Sequence, residues 1–278
     1  MTIATMRTVR LDEPIDERAY GGKAAQLSAA VRAGLPVPAG VAVPVEVVAA
    51  IAAGAAAAQR ELQRAIAGLT FPLAVRSSAV GEDSADASFA GQHLTCLNVC
   101  TPAALLEAVR AVFASARSES ALAYRARLGI EREARIGVVT QQLVIADRAG
   151  VLFSCNPITG ADEIVIEAAW GLGEAVVAGL VTPDRYRLTP HGTLLERVIG
   201  FKHVAVRPVP GGGTLQGPIE PALRQASCLD NADLARLCQL AWRCNEIFGG
   251  SQDLEWAFSG QRLHLLQRRA VTRARDAA

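Results

Sequence analysis

Histidine is scarce in this chain of 278 residues: His93, His191, His203 and His264 are the whole supply, and none lies in a glycine-flanked loop suited to carrying a phosphoryl group. Their spacing supports no Ser-His-Asp or Cys-His arrangement, so a hydrolase loses its main support. The six cysteines, Cys96, Cys100, Cys155, Cys228, Cys238 and Cys244, form no C-x-x-C pair and have no histidine at zinc spacing. Buried free thiols in a reducing cytoplasm are the expectation. An excess of either charge is missing too. Lys and Arg total 28 against 27 Asp and Glu, so no general field draws the chain to nucleic acid or to an anionic membrane. The Ala-rich segment 49–58 is too short and weakly hydrophobic to span a bilayer, and residues 1–13 hold no apolar core of signal-peptide length. A cytoplasmic protein with neither a membrane nor a nucleic-acid partner is expected, and the chain shows no internal repeat and no low-complexity linker.

What the chain does have is core material. Hydrophobic residues make up 51% of it, enough for one large domain or two small lobes. Gly21-Gly22-Lys23 precedes a helical run, Ala24 to Ala33, stopped by Gly34 and Pro36. Residues 37–43 read as a turn into a short strand, and a long Ala-rich helix is expected from Val45 to about Gly68, tolerating Gly54. Thr101-Pro102 has the form of an N-cap with proline at the first helical position, opening a helix through Ala116. Strands are expected at Ile136–Ile145, Val151–Ser154 and Ile164–Ala168, separated at Asp147–Gly150 and Pro157–Asp162. Residues 190–221, rich in Gly and Pro, read as irregular loops around a strand pair at Tyr186–Leu188 and Leu194–Ile199. A patterned helix from Asn231 ends at Gly249-Gly250, and a hairpin follows over Asp253–Phe258 and Arg262–Gln267 with its turn at Ser259-Gly260. The class is α+β.

Several clusters carry chemistry. Leu73-Ala-Val-Arg-Ser-Ser-Ala-Val-Gly-Glu-Asp83 brings Arg76 to the end of an apolar strand and into a small-residue loop, and a second strand returns with Gln92 and Thr95. That is a plausible phosphate cradle, because a guanidinium presents a rigid donor fork. A local ion pair of Arg76 with Glu82 or Asp83 is an equally good account. Gly21-Gly22-Lys23 at a helix start offers backbone N–H groups and an ammonium arm, the generic anion site, but without Walker A spacing. In the C-terminal hairpin, Asp253 and Glu255 share one strand face, Gln267 and Arg269 share a face of its partner, and Leu254, Trp256 and Phe258 point into a core. Such a face suits Mg²⁺ bridged to polyphosphate, or is a solvated surface with cross-strand pairing. Glu174 opens a helix after Gly171-Leu-Gly173 and complements its dipole. Gln141 lies in a nearly all-apolar strand, where its amide serves either a bound base or neighbouring backbone.

Taken together, Gly21-Gly22-Lys23-Ala-Ala-Gln-Leu, Val75-Arg-Ser-Ser-Ala-Val-Gly-Glu-Asp83, Ser88-Phe-Ala-Gly-Gln92, Trp170-Gly-Leu-Gly-Glu174, Thr182-Pro-Asp184, Gln252-Asp-Leu-Glu-Trp256 and Leu266-Gln-Arg-Arg269 resemble a known family in its motif order. It is the ATP-binding domain of phosphoenolpyruvate synthase, pyruvate phosphate dikinase and rifampin phosphotransferase. The resemblance implies an ATP-grasp-like fold of two lobes over residues 1–272, with mixed, largely antiparallel sheets, ATP lying between the lobes, and a tail at 273–278. It implies phosphate contacts and catalytic roles for Lys23, Arg76 and Arg269, and Mg²⁺ ligation by Glu255 and Gln267. Thr95 and Gln92 would line the phosphate end, Gln141 would fall where the family's strand passes the adenine, and Glu174 and Asp253 would support. Departures are the ending Gln267-Arg-Arg-Ala270 where the family has Gln-x-Arg-Pro, a short 45–71 region, and Gln142 where a basic residue is common.

Relatives continue into a domain bearing a phosphorylatable histidine and a domain for the acceptor, which this sequence does not include. The implied function is therefore an Mg²⁺-ATP-dependent phosphotransferase that cleaves ATP to AMP and passes phosphate to a histidine on a separate carrier and acceptor-binding protein. A direct small-molecule kinase or ATP-grasp ligase, and a non-catalytic nucleotide-binding module, stand as alternatives.

Overall fold

The computed structural model describes residues 7–81, 94–119, 121–123 and 134–271. Its backbone divides into two compact units: unit 1 comprises 1–34, 38–143 and 209–213, and unit 2 comprises 35–37, 144–208 and 214–278.

Unit 1 is built on a five-stranded sheet in the order β1-β2-β5-β3-β4. The strands are β1 (Val9–Arg10), β2 (Gly40–Val43), β3 (Leu73–Ala79), β4 (Thr95–Val99) and β5 (Ile136–Gln142), all paired antiparallel. Alternation along β3 assigns its two faces. Leu73, Val75 and Ala79 join a core with Val48, Ile51, Leu62, Leu105 and Val109 from helices α3 (Val45–Ala52), α4 (Ala56–Ala65) and α5 (Pro102–Ser115). Ala74, Arg76 and Ser78 face the other way, toward α2 (Gly22–Arg32), which follows α1 (Glu17–Tyr20). The Thr101 hydroxyl caps α5 by accepting from Ala104 N at 3.1 Å, with Pro102 at the first helical position, as expected.

The expected single helix from Val45 to Gly68 is two. Gly54 has φ 84, a conformation that no continuing helix accepts, and the chain turns there between α3 and α4.

Unit 2 carries a six-stranded antiparallel sheet in the order β13-β12-β6-β7-β8-β9. These strands are β6 (Arg148–Phe153), β7 (Ile164–Trp170), β8 (Asp184–Leu188), β9 (Leu194–Val198), β12 (Gln252–Ser259) and β13 (Arg262–Ala270). One face is apolar along the row Leu254, Leu152, Ile166 and Tyr186, all fully buried. The sheet packs against α7 (Asn231–Phe248), whose Leu234, Leu237, Cys238, Ala241 and Cys244 are buried at helical spacing. A capping box at Asp230 and Asp233 starts that helix and Gly249 ends it. Asp233 also accepts a bidentate pair from Arg148, Nη2 to Oδ1 at 2.7 Å and Nε to Oδ2 at 3.1 Å, which ties the helix start to β6.

Three sequence expectations change here. β6 begins at Arg148, so residues 148–150 are strand and not loop. β5 ends at Gln142, short of Ile145. Within 190–221 an unforeseen hairpin pairs β10 (Val204–Pro208) with β11 (Thr214–Pro218), because a pattern this rich in Gly and Pro hides strand periodicity. Four of the six free cysteines are buried, but Cys96 and Cys100 are only half-buried. No helix among the described residues is long and apolar enough to cross a membrane.

Candidate functional site

In unit 1 the sheet face opposite the core collects the candidate phosphate residues. Arg76 on β3 lies directly opposite Thr95 on β4, so their side chains share that face. Ser78, two residues further along β3, accepts a hydrogen bond from Ala24 N at 3.0 Å through its hydroxyl, docking the first turn of α2 onto the strand. The contact requires Gly21. Its φ is 86, and a Cβ there would sit 2.1 Å from the Ser78 carbonyl oxygen. The Gly-Gly-Lys and Arg-Ser-Ser motifs are thus one structural unit, with Lys23 buried in the second position of α2. Gln141, opposite Ala74, is buried, and its Nε2 donates to the Pro38 carbonyl at 3.1 Å, so backbone satisfies that amide. Gln92, Glu82 and Asp83 lie outside the described residues.

In unit 2 the register of β12 and β13 sets Glu255 directly opposite Gln267 and Asp253 opposite Arg269, all on the sheet face away from α7. Arg269 Nη2 stands 4.0 Å from Glu255 Oε1. A carboxylate and an amide oxygen facing each other across a ladder are hard donors that fit a small divalent cation. No group of three or more His, Cys, Asp or Glu gathers among the described residues, so phosphate and water would have to complete the shell, as Mg²⁺ prefers. Glu174 starts the four-residue helix α6 (Glu174–Val177), packed on β6 and β7.

Two residues without a role in the sequence reading join this face. Glu167 of β7 and Arg185 of β8 extend the row Gln267, Glu255, Val151, Glu167, Arg185. Arg185 Nε is buried and has no hydrogen-bond partner among the described residues. Alternation within β8 was the available signal; the row itself depends on pairing between strands distant in sequence.

Asp253 is electrostatically distinct. Burial, the largest cause, pushes its carboxyl up to about 6 from 3.8; Arg269 opposes the rise and Glu255 adds to it. The folded chain therefore holds this proton more tightly than the unfolded chain. Stability linked to the group is fully present below about pH 4, is lost as pH rises toward about 6, and stays lost above. Asp253→Asn should accordingly raise Tm at pH 8 by several degrees, on the order of 2 kcal/mol, with the gain vanishing near pH 4. Thermal melts of both proteins across that range check this, and a gain of equal size at every pH would refute the electrostatic origin.

The α+β architecture, antiparallel sheets with helices packed on them, is of ATP-grasp-like type. Residues 44–278 match the family model of the pyruvate phosphate dikinase AMP/ATP-binding domain, and the chain belongs to that family. It is 41% identical over 201 residues to a rifampicin phosphotransferase of Streptomyces sviceus, covering 72% of this chain and 23% of the relative. It is 40% identical over 202 residues to a probable phosphoenolpyruvate synthase of Methanothermobacter thermautotrophicus, covering 72% and 29%. The chain thus spans about a quarter of the length of these curated relatives. Among solved structures, a dinucleotide-forming acetyl-coenzyme A synthetase 1 from Ca. Korarchaeum cryptofilum aligns over 90% of this chain and 92% of its own, with TM-score 0.50 and 11% identity, a likeness of fold alone. The matched family region begins after Lys23, whose assignment rests on its motif and on the Gly21–Ser78 contact.

Proposed function

We propose that this chain binds ATP with Mg²⁺ and serves phosphoryl transfer in which ATP is cleaved to AMP, the β-phosphate passes to a histidine on a carrier outside these residues, and the γ-phosphate goes to water and leaves as inorganic phosphate. The observation that carries the reading is the pairing of Glu255 with Gln267 across β12 and β13, with Arg269 alongside. In unit 2, Glu255 and Gln267 hold the cation and Arg269 neutralises phosphate, with Asp253 and Glu174 in support. In unit 1, Lys23 and Arg76 contact phosphate oxygens, Thr95 lines the phosphate end, and Gln141 positions the strand end through Pro38. A bound Mg²⁺ would supply charge neutralisation for the leaving phosphate; the arginines and the lysine add fixed positive charge where negative charge develops.

The test is incubation of purified protein with Mg²⁺ and ATP, with and without candidate histidine-carrier proteins, resolving AMP from ADP. AMP formed only with a carrier, together with acid-labile phosphate on that carrier, supports the reading. ADP formed with a small acceptor replaces it with a direct kinase or ligase. Tight ATP binding without turnover under any condition leaves a nucleotide-binding module.

A further inference from the structure

The hairpin that carries Glu255 and Gln267 contains a point where its register can slip. The ladder runs Gln252 with Ala270, Asp253 with Arg269, Leu254 with Arg268 and Glu255 with Gln267, then shifts so that Trp256 pairs with Leu265 and Leu266 is the extra residue. The Glu255–Gln267 pair is therefore the last one before a bulge. Migration of the bulge past Gln267 would turn that side chain to the other face. Asp253, Glu255 and Arg269 are charged and only half-buried on the front face, and they supply little packing against such a slip.

The back face supplies the restraint. Gln252 is fully buried, and every polar atom it has is engaged. Its Oε1 accepts from Arg268 Nε at 2.6 Å, and its Nε2 donates to the carbonyls of Gly249 at 2.7 Å and Gly250 at 3.2 Å in the turn that ends α7. Its backbone N–H donates to Ser154 Oγ at 2.8 Å, and its carbonyl accepts from Ser154 N at 2.9 Å. The Ser154 hydroxyl in turn donates to Asn245 Oδ1 on α7 at 2.9 Å. The Arg268 guanidinium lies 4.0 Å over the ring of Phe248, the last residue of α7. Gln252 and Arg268 thus tie both strands of the hairpin to one rigid helix end, on the open side of the bulge.

We propose that Gln252 and Arg268 form a register clamp, a pair of positioning residues that keep Glu255 opposite Gln267 and so set the cation affinity of a site they never touch. This rests on the reading of Glu255 and Gln267 as the cation pair. Arg268→Met keeps an apolar stem over Phe248 and removes the bond to Gln252. In the free protein, amides of residues 253–255 should then exchange about tenfold faster with solvent while those of β3 and β5 do not change. ATP affinity by calorimetry should fall about tenfold with Mg²⁺ present and stay unchanged in EDTA. Arg268→Lys, which retains a donor for Gln252, should fall between the two and stands in if Arg268→Met does not fold. A lowered Tm with exchange at 253–255 and Mg²⁺ dependence both unaltered would reduce the pair to a structural contact and overturn the clamp. If wild-type protein binds no ATP, the functional reading fails by itself, and the exchange comparison alone decides the clamp.

Discussion

Asp184→Ala should destabilise unit 2 more than any other single truncation of a polar side chain in it. Asp184, the last residue of Thr182-Pro-Asp184, is fully buried, and so is its partner Lys202. The Lys202 ammonium donates to Asp184 Oδ1 and to the Gly200 carbonyl at 3.0 Å. Asp184 also accepts from Gly200 N at 2.9 Å, Cys228 N at 2.7 Å and the Tyr186 hydroxyl at 3.2 Å. Burial pushes the Tyr186 hydroxyl up to about 12, so it remains a donor at any working pH. Removing the carboxylate strands a buried cation and leaves two backbone N–H groups without their acceptor. The expected loss is about 5 kcal/mol, since breaking a buried pair costs more than the pair contributes. Lys202→Met in the same chain should recover part of that loss, because it removes the uncompensated charge. Urea melts of the two single variants and the double variant measure the coupling. A cost below about 1 kcal/mol for Asp184→Ala would show that water reaches Lys202 and that the network is not closed.

Glu255→Ala should abolish turnover while leaving the fold intact. The carboxylate lies on the half-buried front face, away from the Leu254, Trp256 and Phe258 core, so its loss creates no cavity. On the proposed function, its absence removes one of the two side chains that would hold the cation, and it removes the carboxylate 4.0 Å from Arg269. A fall in AMP formation of about a thousandfold or more is expected, the scale seen when a charge-stabilising group is removed from a phosphoryl-transfer site. Arg269→Ala should behave alike. The same Glu255 variant should also lower the raised Asp253 carboxyl, because Glu255 contributes to that rise. Product assays, thermal melts and titration of Asp253 check the three consequences, and wild-type rates in either variant would remove these residues from the site.

How far the sequence carried this picture varies from element to element. The C-terminal hairpin was legible because apolar Leu254, Trp256 and Phe258 alternate with polar residues, and α7 because its apolar spacing ends at a glycine pair. The break at Gly54 was misjudged, since an isolated glycine in an Ala-rich run is tolerated as often as it is a stop. The hairpin of β10 and β11 left no usable pattern among its glycines and prolines. Candidate site residues such as Lys23, Arg76, Glu255, Gln267 and Arg269 were found from residue type and motif order. Their neighbours were not: the lock of Gly21 on Ser78, the row through Glu167 and Arg185, and the Gln252–Arg268 clamp involve partners distant along the chain.

The division has a physical cause. Local chemistry along the chain, in caps, glycines and alternation, determined which segments are helices or strands and which face of each is apolar, because those preferences act over a few residues. Only the tertiary structure decided which strand lies beside which and in what register. That choice follows from packing and hydrogen bonding summed over the whole sheet, and it alone sets Glu255 against Gln267 and Arg76 against Thr95.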